Sequence, residues 1–193
     1  RIPVERAVPF LHESLKSRHF DARNMAANSL GLIQAQSSIT PLIESLKDTV
    51  LGGPKRVSIR VVKSSLIGFG NSAVPFLIKE AKNADWRIRA QIIDIIAEIG
   101  SLECEGCLIE ALSDHEADIR AKAAKGLGNI SSKVALRHLP KLVDDVSWVV
   151  RLQAIRALGQ IGDPYAVEDI KKGITDSNWQ VRSAAAAALG KMG

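Results

Sequence analysis

The sequence predicts an all-α solenoid, six helical hairpins stacked in series. Three observations predict it. A dipeptide of an apolar or small residue plus Arg recurs at Ala22-Arg23, Ile59-Arg60, Ile88-Arg89, Ile119-Arg120, Val150-Arg151 and Val181-Arg182, with Arg spacings of 37, 29, 31, 31 and 31. Around each Arg the register repeats: Gly31, Gly68, Ala97, Gly128, Gly159 and Gly190 follow by eight residues, and Phe20, Val57, Trp86, Ala117, Trp148 and Trp179 precede by three. The apolar residues keep a helical period, and none alternate with period two over a useful length, so no strand is expected.

The units fall at about 1–36, 37–70, 71–100, 101–131, 132–162 and 163–193, read as one repeat domain over 1–193. First helices show i, i+3, i+4, i+7 spacing, as in Ile39, Leu42, Ile43, Leu46 and in Val74, Leu77, Ile78, Ala81. Second helices carry Ile119, Ala123, Ala124, Leu127, Ile130; then Val150, Ala154, Ile155, Leu158, Ile161; then Val181, Ala185, Ala186, Leu189, Met192. Their alanines allow close helix approach. Gly100, Gly162 and Gly193 stand where a helix end needs a left-handed residue, and Asp163-Pro164 opens the next unit. So narrow a stripe cannot bury a core alone, and stacking on like pairs supplies the missing partner in a right-handed or gently curved array. The terminal units are expected to be least stable, with Ala184 to Ala188 an exposed small-residue face. The chain opens on Arg1 rather than Met and stops at a repeat boundary, so a fragment of a longer protein is expected.

With 193 residues, 46% of them hydrophobic, the chain is long enough for a core without disulfide or metal staples. Its composition argues against disorder, and it shows neither a membrane-length apolar run nor a signal peptide. A net charge of +5 permits an acidic partner without demanding one. Two cysteines argue against a disulfide scaffold and point to a reducing cytoplasm.

The segment Asp176-Ser177-Asn178-Trp179-Gln180-Val181-Arg182, echoed at 145–151 and 114–120, resembles HEAT repeats. The 31-residue version is similar to the short HEAT-like repeats of phycobilisome lyase subunits. That resemblance implies an α-α superhelix related to armadillo arrays. It also implies a structural ladder between neighbouring units, here Asp114/Arg120, Asp145/Arg151 and Asp176/Arg182. Asn83 and Ser17 replace the Asp in units three and one, which puts the ladder in doubt there. An Arg row is read as structural, because the guanidinium fork bonds several oxygens at once.

Residues 48–56 break the period with an insertion, and its Gly-Gly-Pro marks a loop carrying Lys55 and Arg56. A neutral surface insertion is the first reading, although a Leu-Gly-Gly loop followed by Arg is similar to one in bilin lyase subunits. Cys104-Glu105-Gly106-Cys107 sits at a helix start, where a thiol pKa would fall. No second pair completes a zinc site, and Cys107 is read as an interface residue. His12-Glu13 and His115-Glu116 are only two pairs, whereas the HEAT-like enzyme deoxyhypusine hydroxylase uses four to hold two irons. No metal, cofactor or catalytic residue is therefore assigned. Trp86, Trp148 and Trp179 are read as staples between the helices of a unit, with an exposed stacking row as the alternative.

Second helices of HEAT arrays usually line the concave side. Their polar residues here are Asn28, Gln91, Asp94, Glu98, Lys122, Lys125, Asn129, Gln153, Arg156, Gln160 and Lys191. So mixed a surface suits a protein or peptide segment, since a nucleic-acid groove calls for more cations and exposed aromatics. The expected function is a non-catalytic protein-interaction scaffold. The alternatives are a phycobilin lyase or chromophore-chaperone subunit and a nucleic-acid-binding module.

Overall fold

The computed structural model describes residues 4–83 and 85–192. Among them are helices and turns, with no strand. The α-helices are α1 (Val4–Ser14), α2 (Phe20–Ile33), α3 (Ile39–Val50), α4 (Ile59–Gly68), α5 (Val74–Glu80), α6 (Trp86–Ile99), α7 (Glu105–Ala111), α8 (Ala117–Asn129), α9 (Trp148–Ile161), α10 (Val167–Lys172) and α11 (Trp179–Met192). The chain forms two compact units, Arg1–Ile95 and Ile96–Gly193.

In the first unit α2 packs on α4, and α3 and α4 form a hairpin. Ile39, Leu42, Ile43 and Leu46 of α3 are all buried, as their spacing requires. In α5, Val74 and Leu77 are buried, while Ile78 and Ala81 are only half-buried. In the second unit α8 packs on α9 and α9 on α11, a row of second helices in sequence order. Gly100 and Gly162 hold φ near +67°, and the Gly162 N–H closes α9 on the Leu158 carbonyl. Gly193 lies outside the described residues.

Three expectations need correction. The fifth unit has no first α-helix: two 3-10 segments, Val134–Arg137 and Leu139–Asp144, stand in its place. Pro140 stands in the first turn of the second segment, where it has no amide proton to bond back to the segment before it. The insertion is also shorter than its Asp48 start implies, because α3 continues through Val50. In α11 the buried residues are Val181, Ala185 and Ala188; Ala186 is exposed, and Leu189 and Met192 are half-buried. Their equivalents in α9, Ile155 and Leu158, are buried, with Ile155 reaching the ground beside Gly173 and Ala185. No further hairpin among the described residues covers the outer side of α11.

The recurring small residue eight positions after the Arg is a close contact point at Gly31, Gly128 and Gly159. A Cβ added at Gly31 would lie 2.6 Å from Ser65 Cβ, at Gly128 2.8 Å from Ala157 Cα, and at Gly159 2.6 Å from Ala188 Cβ. The pairs α2–α4, α8–α9 and α9–α11 thus touch with almost no side chain between them. Ser65 uses its hydroxyl to donate to the Ala27 carbonyl at 2.9 Å, which satisfies that buried polar group in the first of these seams. Gly190 holds the same register with nothing within 4 Å.

The two glycines should therefore respond oppositely to the same change. Gly159→Ala overpacks the α9–α11 seam and should cost about 1–3 kcal/mol in urea unfolding. Gly190→Ala meets open space and should gain up to about 1 kcal/mol of helix propensity. Equal effects at the two positions would contradict the seam.

Candidate partner-binding surface

The Arg row is built from backbone and carboxylate contacts together. Arg120 donates through Nε to Asp145 Oδ2 at 2.8 Å and through Nη2 to Oδ1 at 2.9 Å. Arg151 repeats this on Asp176 at 2.6 and 2.9 Å. Each carboxylate also accepts a backbone N–H two residues on, Ser147 for Asp145 and Asn178 for Asp176, both at 2.8 Å. The remaining Nη1 caps carbonyls of its own unit: Asp114 and His115 for Arg120, Asp145 and Val146 for Arg151, Asp176 and Ser177 for Arg182.

The carbonyl cap explains the spacing of six and needs no Asp. Arg89 donates to the Asn83 carbonyl at 2.9 Å, and buried Arg23 to the Ser17 carbonyl at 2.7 Å. In unit one the place of the next unit's carboxylate is taken by the Arg56 carbonyl, which accepts from Arg23 Nε at 2.9 Å.

Arg151 holds the Asp176 carboxyl below its ordinary pKa. At Asp145 burial is the largest influence and pushes the pKa up, but the Arg120 hydrogen bond, the Ser147 N–H and the charges of Arg120 and Arg151 together outweigh it, and the pKa is also lowered.

The insertion, residues 51–58, is pinned rather than loose. Thr49 Oγ1 accepts the Val57 N–H at 2.8 Å, Asn24 Oδ1 accepts the Ser58 N–H at 2.8 Å, and Val57 is buried. Lys55 and Arg56 are exposed on it. Lys55 lines a cleft of about 680 Å³ with His12 and Glu13 of α1 and Glu44, Ser45 and Asp48 of α3.

The polar residues of the second helices fall into two groups. Asp94 pairs with Lys63, Lys122 with Asp118 at 2.5 Å, and Asn129 Nδ2 donates to the Ala97 carbonyl at 3.2 Å. These three are tied to the protein itself. Glu98 and Asn28 are exposed and Gln91 half-buried. Lys125, Gln153, Arg156, Gln160 and Lys191 have no ion-pair or side-chain hydrogen-bond partner among the described residues.

Three of that second group meet in one place. Arg156 and Gln160 of α9 and Lys191 of α11 line a groove of about 460 Å³, with Trp179 and Ser183 along α11 and Gly159 in the floor. Sequence reasoning put the charges on this surface but read the tryptophans otherwise. Trp86, Trp148 and Trp179 each begin a second helix and are 46%, 38% and 66% exposed, so they are not buried staples. Being the first helical residue places the ring before the first stacked turn, where it is only partly covered.

Cys104 and Cys107 are free thiols. Cys104 is buried, and burial, with Glu103 nearby, pushes its pKa up to about 11, the reverse of the expected helix-start effect. The helix there, α7, spans only Glu105–Ala111. His12 Nε2 lies 3.0 Å from Ser38 Oγ. Among the described residues no group of three or more His, Cys, Asp or Glu could hold a metal ion. Nor is any single helix among them long and apolar enough to cross a membrane.

Comparison with known proteins places these features in context. The family model described as HEAT repeats matches residues 74–151 and 139–193, more than half of the chain, and the PBS lyase HEAT-like repeat model matches residues 22–48. No curated protein matches. Among solved structures, the CpcE–CpcF complex of phycocyanin lyase from Nostoc sp. is similar at 24% identity and TM-score 0.70, over 79% of this chain and 98% of that one. A designed armadillo repeat protein in complex with the peptide (KR)4 is similar at 19% identity and TM-score 0.61, over 96% and 99%. Human deoxyhypusine hydroxylase is similar at 18% identity and TM-score 0.52, over 97% and 74%. At these identities the likeness is one of fold.

Two measurements check the site's electrostatics. Arg151 and Asp176 are only 14% and 10% exposed, so Asp176→Asn, which keeps the turn bond to Asn178, should cost roughly 2 kcal/mol at neutral pH. A lowered carboxyl pKa means the contribution is present above the unfolded value of about 3.9 and lost as pH falls through the folded one. The gap between variant and wild type in urea unfolding should therefore close below about pH 4. Cys104 should resist iodoacetamide in the native protein at pH 8 and react only in denaturant, as read by mass spectrometry; rapid native alkylation there would contradict the burial.

Proposed function

This chain belongs to the HEAT-repeat family, and on that premise we propose that it is a non-catalytic protein-interaction scaffold whose partner lies along the second helices. One observation carries the reading. The half-buried ladder arginines Arg120 and Arg151 are committed to backbone and carboxylate oxygens, whereas Lys125, Arg156 and Lys191 on the same row of helices are exposed and uncommitted. The helices beneath them touch through Gly128 and Gly159, which favours a surface formed before binding, with little ordering cost on association. The peptide complex of the designed armadillo neighbour supports a peptide or protein segment as partner. We infer a cytoplasmic setting, supported by the two free thiols.

A second reading, a chromophore chaperone or bilin lyase-type subunit, is favoured by the phycocyanin lyase likeness and by the lyase-type repeat match at 22–48. Mixing the protein with an open-chain bilin separates the two. An unchanged absorption spectrum removes the second reading, and a shifted, intensified band establishes it.

The scaffold reading is checked by affinity capture from source lysate, using the wild type beside Lys122→Glu/Lys125→Glu. A specific partner should be retained by the wild type and bound at least about tenfold more weakly by the variant in calorimetry. Identical capture and affinity would show that this row is not the binding surface.

A further inference from the structure

We propose that the groove between α9 and α11 takes an extended acidic peptide segment. The assignment rests on the scaffold reading and adds the chemistry of its partner. The charge of the groove is the first argument. Arg156 stands on one wall and Lys191 at one end, neither has a partner among the described residues, and no Asp or Glu lines the groove. Two uncompensated cations facing one concavity attract anions and disfavour cations.

Shape is the second argument. Trp179, Ser183, Ala187 and Lys191 recur every four residues, so they form one stripe along α11. Twelve residues of helix separate the tryptophan from the lysine, about 18 Å at 1.5 Å per residue. An extended chain covers that in about five or six residues. Gly159 and Ala188 meet in the floor and leave no side chain to hold a backbone away.

The side chains define what such a segment would carry. Arg156 offers a planar fork that suits a carboxylate, and Lys191 a point charge for a second one. Trp179, 66% exposed, gives an apolar face for an aliphatic or aromatic side chain between or beside the acids. Gln160, Gln180 and Ser183 line the same groove and can bond a peptide backbone. Two cations are too few for a nucleic-acid track, where affinity comes from many phosphate contacts.

The test uses the capped peptide Ac-Glu-Leu-Asp-Glu-Leu-Asp-NH2 with the full chain, nitrogen-15 labelled, at low salt. The indole N–H signals are assigned by single Trp→Phe variants. The Trp179 indole should shift on titration. Arg156→Ala/Lys191→Ala should weaken binding about tenfold or more, and Arg156→Lys should retain most of it. Both changes fall on exposed, unpartnered side chains, and an unchanged melting curve confirms the fold.

A Lys-Arg repeat peptide and a short oligothymidylate should bind at least about tenfold more weakly. No Trp179 shift at about 1 mM acidic peptide overturns the proposal, as does tighter binding of the oligonucleotide or the basic peptide. Any of these leaves the scaffold reading to its own test on α8, where Lys122 and Lys125 are changed and the groove is not.

Discussion

The constraint on which the second unit depends is contact between helices with no side chain between them. Gly128 rests on Ala157 and Gly159 on Ala188, at separations that a single added methyl would violate. Helices this close bury their apolar stripes with short side chains, which is why α8 and α9 are rich in buried alanine. The first unit makes the same contact between Gly31 and Ser65 and adds a hydroxyl that donates to the Ala27 carbonyl at 2.9 Å. A narrow stripe is therefore no weakness here. It suits an element that will be covered on both sides.

Close approach alone does not set the register, because a stripe of small residues could slide. The Arg fork supplies directional contacts. Arg120 and Arg151 each hold two carbonyls of their own unit and one carboxylate of the next. That carboxylate in turn holds the first turn of the helix it precedes, through Ser147 or Asn178. One displaced unit would break charge-assisted bonds at mostly buried groups, which costs more than their net formation gains. The ladder thus converts nonspecific burial into one alignment, and it consumes the cations that take part.

The periodic parts of this organisation were legible in the sequence because they repeat. The Arg and the small residue eight positions on recur in every unit, and the stripes of α8 and α9 are buried through Leu127 and Leu158, with Ile130 and Ile161 half-buried at their ends. What was not legible depends on neighbours or on a single residue. Two 3-10 segments, with Pro140 in the second, replace one helix without disturbing the apolar pattern around it. The tryptophans recur like core residues, yet they sit one turn ahead of the packed seam. Leu189 and Leu158 are the same residue in the same register, yet Leu158 is buried and Leu189 half-buried. The carbonyl caps of Arg23 and Arg89 leave no mark in side-chain identity, because every residue has a carbonyl.

Scaffold and recognition residues occupy different stripes of the same helix. On α11, Val181, Ala185 and Ala188 face the seam, while Trp179, Ser183 and Lys191 face the groove. The seam admits almost no substitution, since its contacts are at the limit of atomic size. The groove stripe has no partner to lose, so its side chains can change without a packing penalty. A repeat protein built this way keeps its fold in the invariant register and its specificity in the exposed one. In this chain the exposed register of α9 and α11 is cationic with one large aromatic face, and that chemistry, rather than the fold, distinguishes the partners it can take.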